Sequence, residues 1–311
     1  MNGRLSTVFM GTPAFAVPVM ETLARLTDLR LVVTQPDRPA GRGRKLVPPP
    51  VKAAAMTLGV RVVQPDVVKG RRFAEVVGGV EPDLVVTAAF GRILGRRLLD
   101  LPRLHCVNVH ASLLPAYRGA APINWAIVNG ERETGVSIMR MAQGLDSGPV
   151  YRAAKIEILP DETAGELTSR LSQVGAEALA EFLREVETAE AVEQDHSLAT
   201  RAPMIRKSDG IVDWTKSSRV VHDHVRGFHP WPCATSFLDG QPLKIHRTAV
   251  LEGATPDSAP GAVLSHTPEG LDVACGGGVL RLVELQLPGK KRLDAAAFYS
   301  GKRLPDGTLL G

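Results

Sequence analysis

The chain has 311 residues, 44% hydrophobic and 23% charged, enough for two domains with separate cores. No apolar run reaches the roughly 18 residues of a membrane-spanning helix, and MNGRLSTVFMGTP at the amino terminus lacks the apolar core of a secretory signal, so a cytoplasmic protein with no membrane partner is expected. The net charge of +4 is unevenly spread: Glu157 to Asp195 holds 11 acidic and 2 basic residues, leaving 35 basic and 22 acidic elsewhere, an excess that suits a polyanionic partner such as nucleic acid.

In chain order, LSTVFMG (5–11) reads as a short strand ending in Gly11. Thr12-Pro13 has the form of an N-cap followed by proline at the first helical position. Phe15, Val19, Leu23 and Leu26 then recur at helical spacing, with Pro18 kinking the helix or shifting its start. LRLVVTQ (29–35), DLVVTAA (83–89), HCVNVH (105–110) and GVSIMRM (135–141) are further strands, separated by helical stretches near 51–58, 71–78 and 120–129. Strands alternating with helices predict an α/β fold with a mostly parallel sheet. Ligands in such sheets sit beyond the carboxyl ends of the strands, here near Gly11-Thr12, Gln35-Pro36, Phe90 and His110.

QPDRPAGRGRKLVPPP (35–50) reads as a long loop without regular structure, its Arg38, Arg42, Arg44 and Lys45 suited to phosphates. Lys45 lies outside the GxxxxGK[ST] frame, so this is not a nucleotide phosphate loop. The acidic stretch carries its own amphipathic helix, opened by the capping box Thr163 to Glu166 and striped by Leu167, Leu171, Val174, Leu179, Phe182 and Val186. Periodicity fades around 196–208, which reads as a linker between a domain at 1–195 and one at 209–311. Beyond it come one helix, WTKSSRVVHDHVRGF, and short strands such as ATSFLD, PLKIHRTAV, GAVLSH, GLDVAC and GVLRLVELQ, predicting a small antiparallel barrel.

The strand VNVH raises the chemical question. Residues i and i+2 share a face, so Asn108 and His110 point one way and Val107 and Val109 the other. An amide can donate to an oxygen gaining negative charge, and an imidazole beside it can donate or move a proton. Asp146, in the glycine-flanked turn GLDSGP, is the best group to orient that imidazole. Other chemistries lack support: no GxSxG and no GxGxxG is present. His222 and His224 differ by about 200° around a helix of 3.6 residues per turn, so with His229 and Cys233 they do not form a metal site. Cys106, Cys233 and Cys275 are too few and too scattered for a disulfide framework, and packed reduced thiols are expected. FHPWP (228–232) reads as a rigid aromatic corner.

With these residues assembled, the chain resembles the methionyl-tRNA formyltransferases, a family of folate-dependent formyltransferases. FMGTPAFA (9–16) is similar to that family's opening strand and turn, TQPDRPAGRGRKL (34–46) to its basic loop, and VNVHASLLPAYRGAAPI (107–123) to its signature. ETGVSIMRMAQGLDSGPV (133–150) resembles the segment carrying its aspartate, and FHPWP and PGKKR (288–292) resemble features of its carboxy-terminal domain. The resemblance implies a Rossmann-like formyltransferase domain followed by an OB-like antiparallel barrel, 10-formyltetrahydrofolate as donor, no metal, and initiator methionyl-tRNA as acceptor. A monomer is the oligomeric state expected. Asn108, His110 and Asp146 match the family's catalytic trio. Ser112, Leu113, Leu114 and Pro115 match its folate-binding segment, with Phe90 lining the pocket. Arg42, with Arg38, Arg44 and Lys45, sits in the loop that reaches the tRNA. Ala111 stands where relatives often have glycine. The trio alone leaves open a small amine acceptor, nucleotide- or sugar-linked; the basic loop and carboxy-terminal domain favour tRNA.

Overall fold

STVFMG is buried on both faces, its Val8, Phe9 and Met10 in the core and its Ser6 and Thr7 hydrogen-bonded, as befits a strand inside a sheet. Ser6–Gly11 is buried throughout, as is Leu84–Ala88. In the computed structural model, which describes residues 4–40, 45–301 and 304–311, they are adjacent central strands of a seven-stranded sheet. Its order is Val150–Glu157, Glu133–Arg140, Cys106–His110, Leu84–Ala88, Ser6–Gly11, Asp28–Val33 and Val62–Val63. From Cys106–His110 to Val62–Val63 every pairing is parallel, and Glu133–Arg140 runs antiparallel to Cys106–His110. The chain winds outward from Ser6–Gly11 in one direction and then returns to add strands on the other side. The switch point therefore lies between Ser6–Gly11 and Leu84–Ala88, and their carboxyl ends open a crevice. Gly11 is required there: a Cβ would sit 2.6 Å from the Phe9 ring and 2.9 Å from the Ala88 carbonyl.

Several boundaries differ from expectation. Pro13 does not open the first helix. It lies in a preceding turn whose carbonyl accepts from Ala16 N, and the helix runs Ala16–Leu26. Its buried face uses Val19, Met20 and Leu23, while Leu26 is 42% exposed. The basic loop contains a short antiparallel ladder, Arg38–Ala40 with Lys45–Val47, hidden in sequence by its prolines and glycines. Arg42 and Arg44 lie outside the described residues. The expected capping box is present: Thr163 N donates to Glu166 Oε2 at 2.8 Å and Glu166 N to Thr163 Oγ1 at 3.3 Å. The stretch expected as a linker carries a 3-10 turn at His196–Leu198 and a strand, Arg201–Ala202, paired with Arg118–Gly119.

The chain divides into two compact units: Met1–Pro122, Thr134–Ile156 and Thr168–Ala202 form one, and Ile123–Glu133, Glu157–Leu167 and Pro203–Gly311 the other. In the second, an antiparallel sheet is ordered Ala234–Leu238, Gln241–Leu251, Val279–Gln286, Gly270–Ala274 and Val263–Thr267, with Leu293–Asp294 pairing onto Val279–Gln286. Trp214, Leu243, Ile245, Leu280, Leu282 and Phe298 belong to its core. The helix Ser218–Gly227 is capped by Ser217, whose hydroxyl accepts from Val220 N. Within this unit Phe228 of FHPWP is buried, with Trp125 and His224 each packed edge-on against its ring. Among the described residues no helix is long and apolar enough to cross a membrane.

Candidate active site

Asn108 and His110 project from the last turn of pleat of Cys106–His110, on the side opposite Val107 and Val109, as period-two geometry requires. On the adjoining strand Thr87 stands in register with Asn108. Thr87 Oγ1 donates to Asn108 Oδ1 at 2.8 Å. Occupying the amide oxygen leaves the Nδ2 hydrogens to point elsewhere, and Nδ2 has no hydrogen-bond partner among the described residues.

His110 is held as firmly. Its Nε2 lies 3.0 Å from the Tyr117 carbonyl, which can only accept, so Nε2 carries the proton and donates. Nδ1 then faces Asp146 Oδ2 across 3.8 Å, too far for a hydrogen bond and close enough for an ion pair once the ring is protonated. The imidazole is 6% exposed, so that carboxylate acts on it through little intervening water. Asp146 is held in turn. Gly119 N donates to Oδ2 at 2.9 Å, and the Asp146 backbone is left-handed, with φ of 47°. Gly119 has φ of 133°, and a Cβ there would strike the Ala202 carbonyl, so only glycine brings this N–H to the carboxylate. The structure thus gathers the sequence-selected His110 and Asp146, with Asn108 on the same strand face as His110.

The neighbouring segment Ser112 to Pro115 is braced rather than open at its first residue. Ser112 is buried and its hydroxyl donates to Ala116 O at 2.6 Å, while Ser137 Oγ accepts from Leu114 N at 3.1 Å and donates to Ser112 O at 2.8 Å. The Phe90 ring is buried in the core cluster with Met10, Val33 and Cys106. Its carbonyl accepts from Gln35 Nε2 at 2.9 Å, joining two strand ends at the crevice. Gln35 Oε1 also accepts from Arg38 Nη2 at 2.7 Å. Lys52 Nζ lies 2.8 Å from both Asp37 oxygens, and Gln64 Nε2 donates to Asp37 Oδ1 at 2.7 Å. These bonds from Lys52 and Gln64 hold the Asp37 carboxyl below its usual range and tie down the base of the basic loop. Lys45 is exposed on that loop's second strand.

Sequence reasoning missed Thr87, the Tyr117 carbonyl, the Gly119 N–H, the Gln35–Phe90 bond and the Lys52–Asp37 pair. Thr87 reads as a β-branched strand residue, and backbone groups carry no residue signature. The three cysteines are buried and unpaired, as expected; burial pushes the Cys106 thiol up to about 12 and the Cys275 thiol up to about 11. Among the described residues no group of three or more His, Cys, Asp or Glu is disposed to hold a metal ion. A separate open cavity of about 690 Å³, lined by Arg4, Glu21, Arg25, Asp28, Arg30 and Leu58, lies by the amino end of the Asp28–Val33 strand and contains none of the trio.

Residues 6–183 match the family Formyl transferase, and residues 204–303 match Formyl transferase, C-terminal domain. The chain is 48% identical over 307 residues to the methionyl-tRNA formyltransferase of Geotalea uraniireducens, covering 98% of this chain and 97% of that protein. It is 49% identical over 310 residues to the methionyl-tRNA formyltransferase of Geobacter sulfurreducens, covering 99% and 97%. Among solved structures, WlaRD, a sugar 3N-formyl transferase, shares the fold with a TM-score of 0.68 at 16% identity, over 93% of this chain and all of that one. HypX from Aquifex aeolicus, in complex with tetrahydrofolic acid, aligns over 98% of this chain with a TM-score of 0.65 and 16% identity; the chain spans about half of its length, 49%.

Proposed function

The chain belongs to the formyl transferase family, and from that premise we propose that it transfers the formyl group of 10-formyltetrahydrofolate to the α-amine of methionyl initiator tRNA, producing formylmethionyl-tRNA for translation initiation. The observation that carries this reading is near-half identity, over almost the full length of both chains, to proteins named methionyl-tRNA formyltransferase. The paired matches of residues 6–183 and 204–303 support it.

The residues fit a formyl donor. An amide with its oxygen occupied, and its Nδ2 without a partner among the described residues, suits a carbonyl oxygen that gains charge. The folate supplies an electrophilic formyl carbon whose nitrogen can leave. Asn108 Nδ2–H donates to the formyl oxygen as the neutral amine adds. His110, protonated at Nδ1, donates a second bond to that oxygen. Asp146, 3.8 Å from Nδ1, stabilises the positive charge on the ring. Asp146 also assists in moving the proton from the attacking nitrogen toward the departing one, directly or through water. Ser112 to Pro115 form the folate side of the crevice, Ser112 by shaping the turn from within, and the buried Phe90 ring backs that side from the core.

Arg38, Arg42, Arg44 and Lys45 supply charge for the tRNA acceptor end. Residues 1–195 serve as the catalytic domain, 196–208 as the linker and 209–311 as the tRNA-binding domain of a monomeric, cytoplasmic enzyme. The test is formyl transfer from labelled 10-formyltetrahydrofolate, with methionyl initiator tRNA, methionyl elongator tRNA and small amines offered in parallel. Transfer to initiator tRNA alone is expected. Transfer to a small amine but not to tRNA overturns the acceptor and keeps the chemistry.

A further inference from the structure

Asp146 is held at both ends by a relay that begins outside the sequence signature. Gln194 Nε2 donates to the Asp146 carbonyl at 3.0 Å and to the Gly148 carbonyl at 2.5 Å. Gln194 Oε1 accepts from Arg118 Nε at 3.1 Å and from Nη2 at 2.6 Å. Both amide hydrogens and the amide oxygen are therefore used, and the side chain is 8% exposed. Arg118 is itself 8% exposed, and its Nη2 also lies 2.9 Å from His196 Nδ1. A guanidinium only donates, so His196 Nδ1 accepts. The next residue, Gly119, gives its N–H to the Asp146 carboxylate. Consecutive residues 118 and 119 thus grip Asp146 twice, by its carboxylate directly and by its backbone through Gln194.

Gln194 is anchored well enough to do this. Two residues before it, Val192 exchanges both backbone hydrogen bonds with Val150, at 2.8 and 2.9 Å, just past the Asp146 turn. Arg118 is anchored by its own N–H to Thr200 O at 2.9 Å and by the Arg201–Ala202 ladder. The need for an external grip is plain from the backbone: Asp146 is a non-glycine residue with φ of 47°, a conformation that persists where surrounding contacts over-determine it. A neutral amide is the right donor for two carbonyls beside a carboxylate, since it adds no charge next to the Asp146–His110 pair.

The geometry points to Gln194, locked by Arg118, as the positioning residue that sets the Asp146 carboxylate against His110. This rests on the formyl-transfer reading. Asp146 lies 3.8 Å from Nδ1, a separation at which a small displacement changes the interaction.

The test uses the full chain with Gln194→Glu, which keeps an acceptor for Arg118 but sets a carboxylate oxygen against two carbonyls, and with Gln194→Met, which removes every hydrogen bond at similar volume and serves if the first variant fails to fold. Expected is a fall in kcat of roughly 10- to 100-fold, with KM for tRNA and for folate held within about twofold. In an Asp146→Asn background the same changes should cost less than about threefold, because Gln194 acts through Asp146. A folded variant with wild-type kcat, or with equal losses in both backgrounds, overturns the inference. The imidazole 15N signals of His110, read without substrate, give a second measurement: they move if the carboxylate has moved and superimpose on wild type if it has not. Should the wild-type chain transfer no formyl group, the proposed function falls, and these signals still decide the positioning.

Discussion

Thr87 and Asn108 face each other in register on adjacent parallel strands, and the threonine hydroxyl donates to the amide oxygen at 2.8 Å. On the proposed reading, that bond turns the Nδ2 end of the amide toward the formyl oxygen. With Oδ1 taken, Asn108 presents only donors, which is what a developing oxyanion requires.

Thr87→Val keeps the β-branched shape and removes the hydroxyl, so the amide is free to rotate. The strand should remain intact, since Thr87 sits in a ladder paired on both sides and valine keeps its shape. Turnover should fall roughly 10-fold or more with little change in either KM. Thr87→Ser should restore most of the rate. Wild-type kcat in Thr87→Val shows that the amide is oriented by something else.

His110→Ala and Asp146→Asn remove the two groups that face each other across 3.8 Å. Each should depress kcat by roughly 100- to 10,000-fold, with circular dichroism and thermal unfolding close to wild type for Asp146→Asn. The double variant should lose little more than the worse single one, because the pair works as a unit. Additive losses would separate their roles, and near-normal turnover in either single variant would falsify the assignment.

The basic loop is attached to the crevice through Gln35 and the Lys52–Asp37 pair. Phosphate contacts release counterions, so KM for tRNA should rise steeply with added salt while KM for folate changes far less. Arg42→Ala should raise KM for tRNA and leave folate binding near wild type. Kinetics with each substrate varied at several potassium chloride concentrations check both. Equal loss toward tRNA and folate would remove the loop from tRNA recognition.

How much of this was legible beforehand depends on the range of the interactions. The parallel core was readable because apolar runs such as LVVTA alternate with helical stretches. The reversed direction of Glu133–Arg140 was not, because periodicity does not encode strand direction. Val150–Glu157 escaped notice because its VYRAAKIE is half exposed and carries two basic residues. Asn108 and His110 stood out because a strand puts i and i+2 side by side, and the GLDSGP turn announced Asp146 by its glycines. Gln194 gave no such signal. A polar residue in an acidic stretch reads as solvated, and its partners lie 46 to 76 residues away.

The second unit carries a pH liability of its own. His222 is 3% exposed, with Nδ1 2.9 Å from Thr248 Oγ1 and Nε2 3.3 Å from the Pro160 carbonyl. Burial lowers its pKa below the ordinary 6.5, outweighing the raising effect of the Pro160 carbonyl and of Asp223 and Asp161. Burial likewise lowers His224, His229 and His246. Each group binds its proton more readily in the unfolded chain than in the folded one. Protonation therefore favours unfolding: the stability these rings contribute is whole above 6.5 and is lost as pH falls from there through the lowered folded values. The thermal midpoint should drop between about pH 7.5 and about pH 5.5. His222→Gln should flatten that slope even if it lowers the midpoint at every pH. A wild-type midpoint that stays level over the interval would mean that these rings keep similar proton affinities in both states.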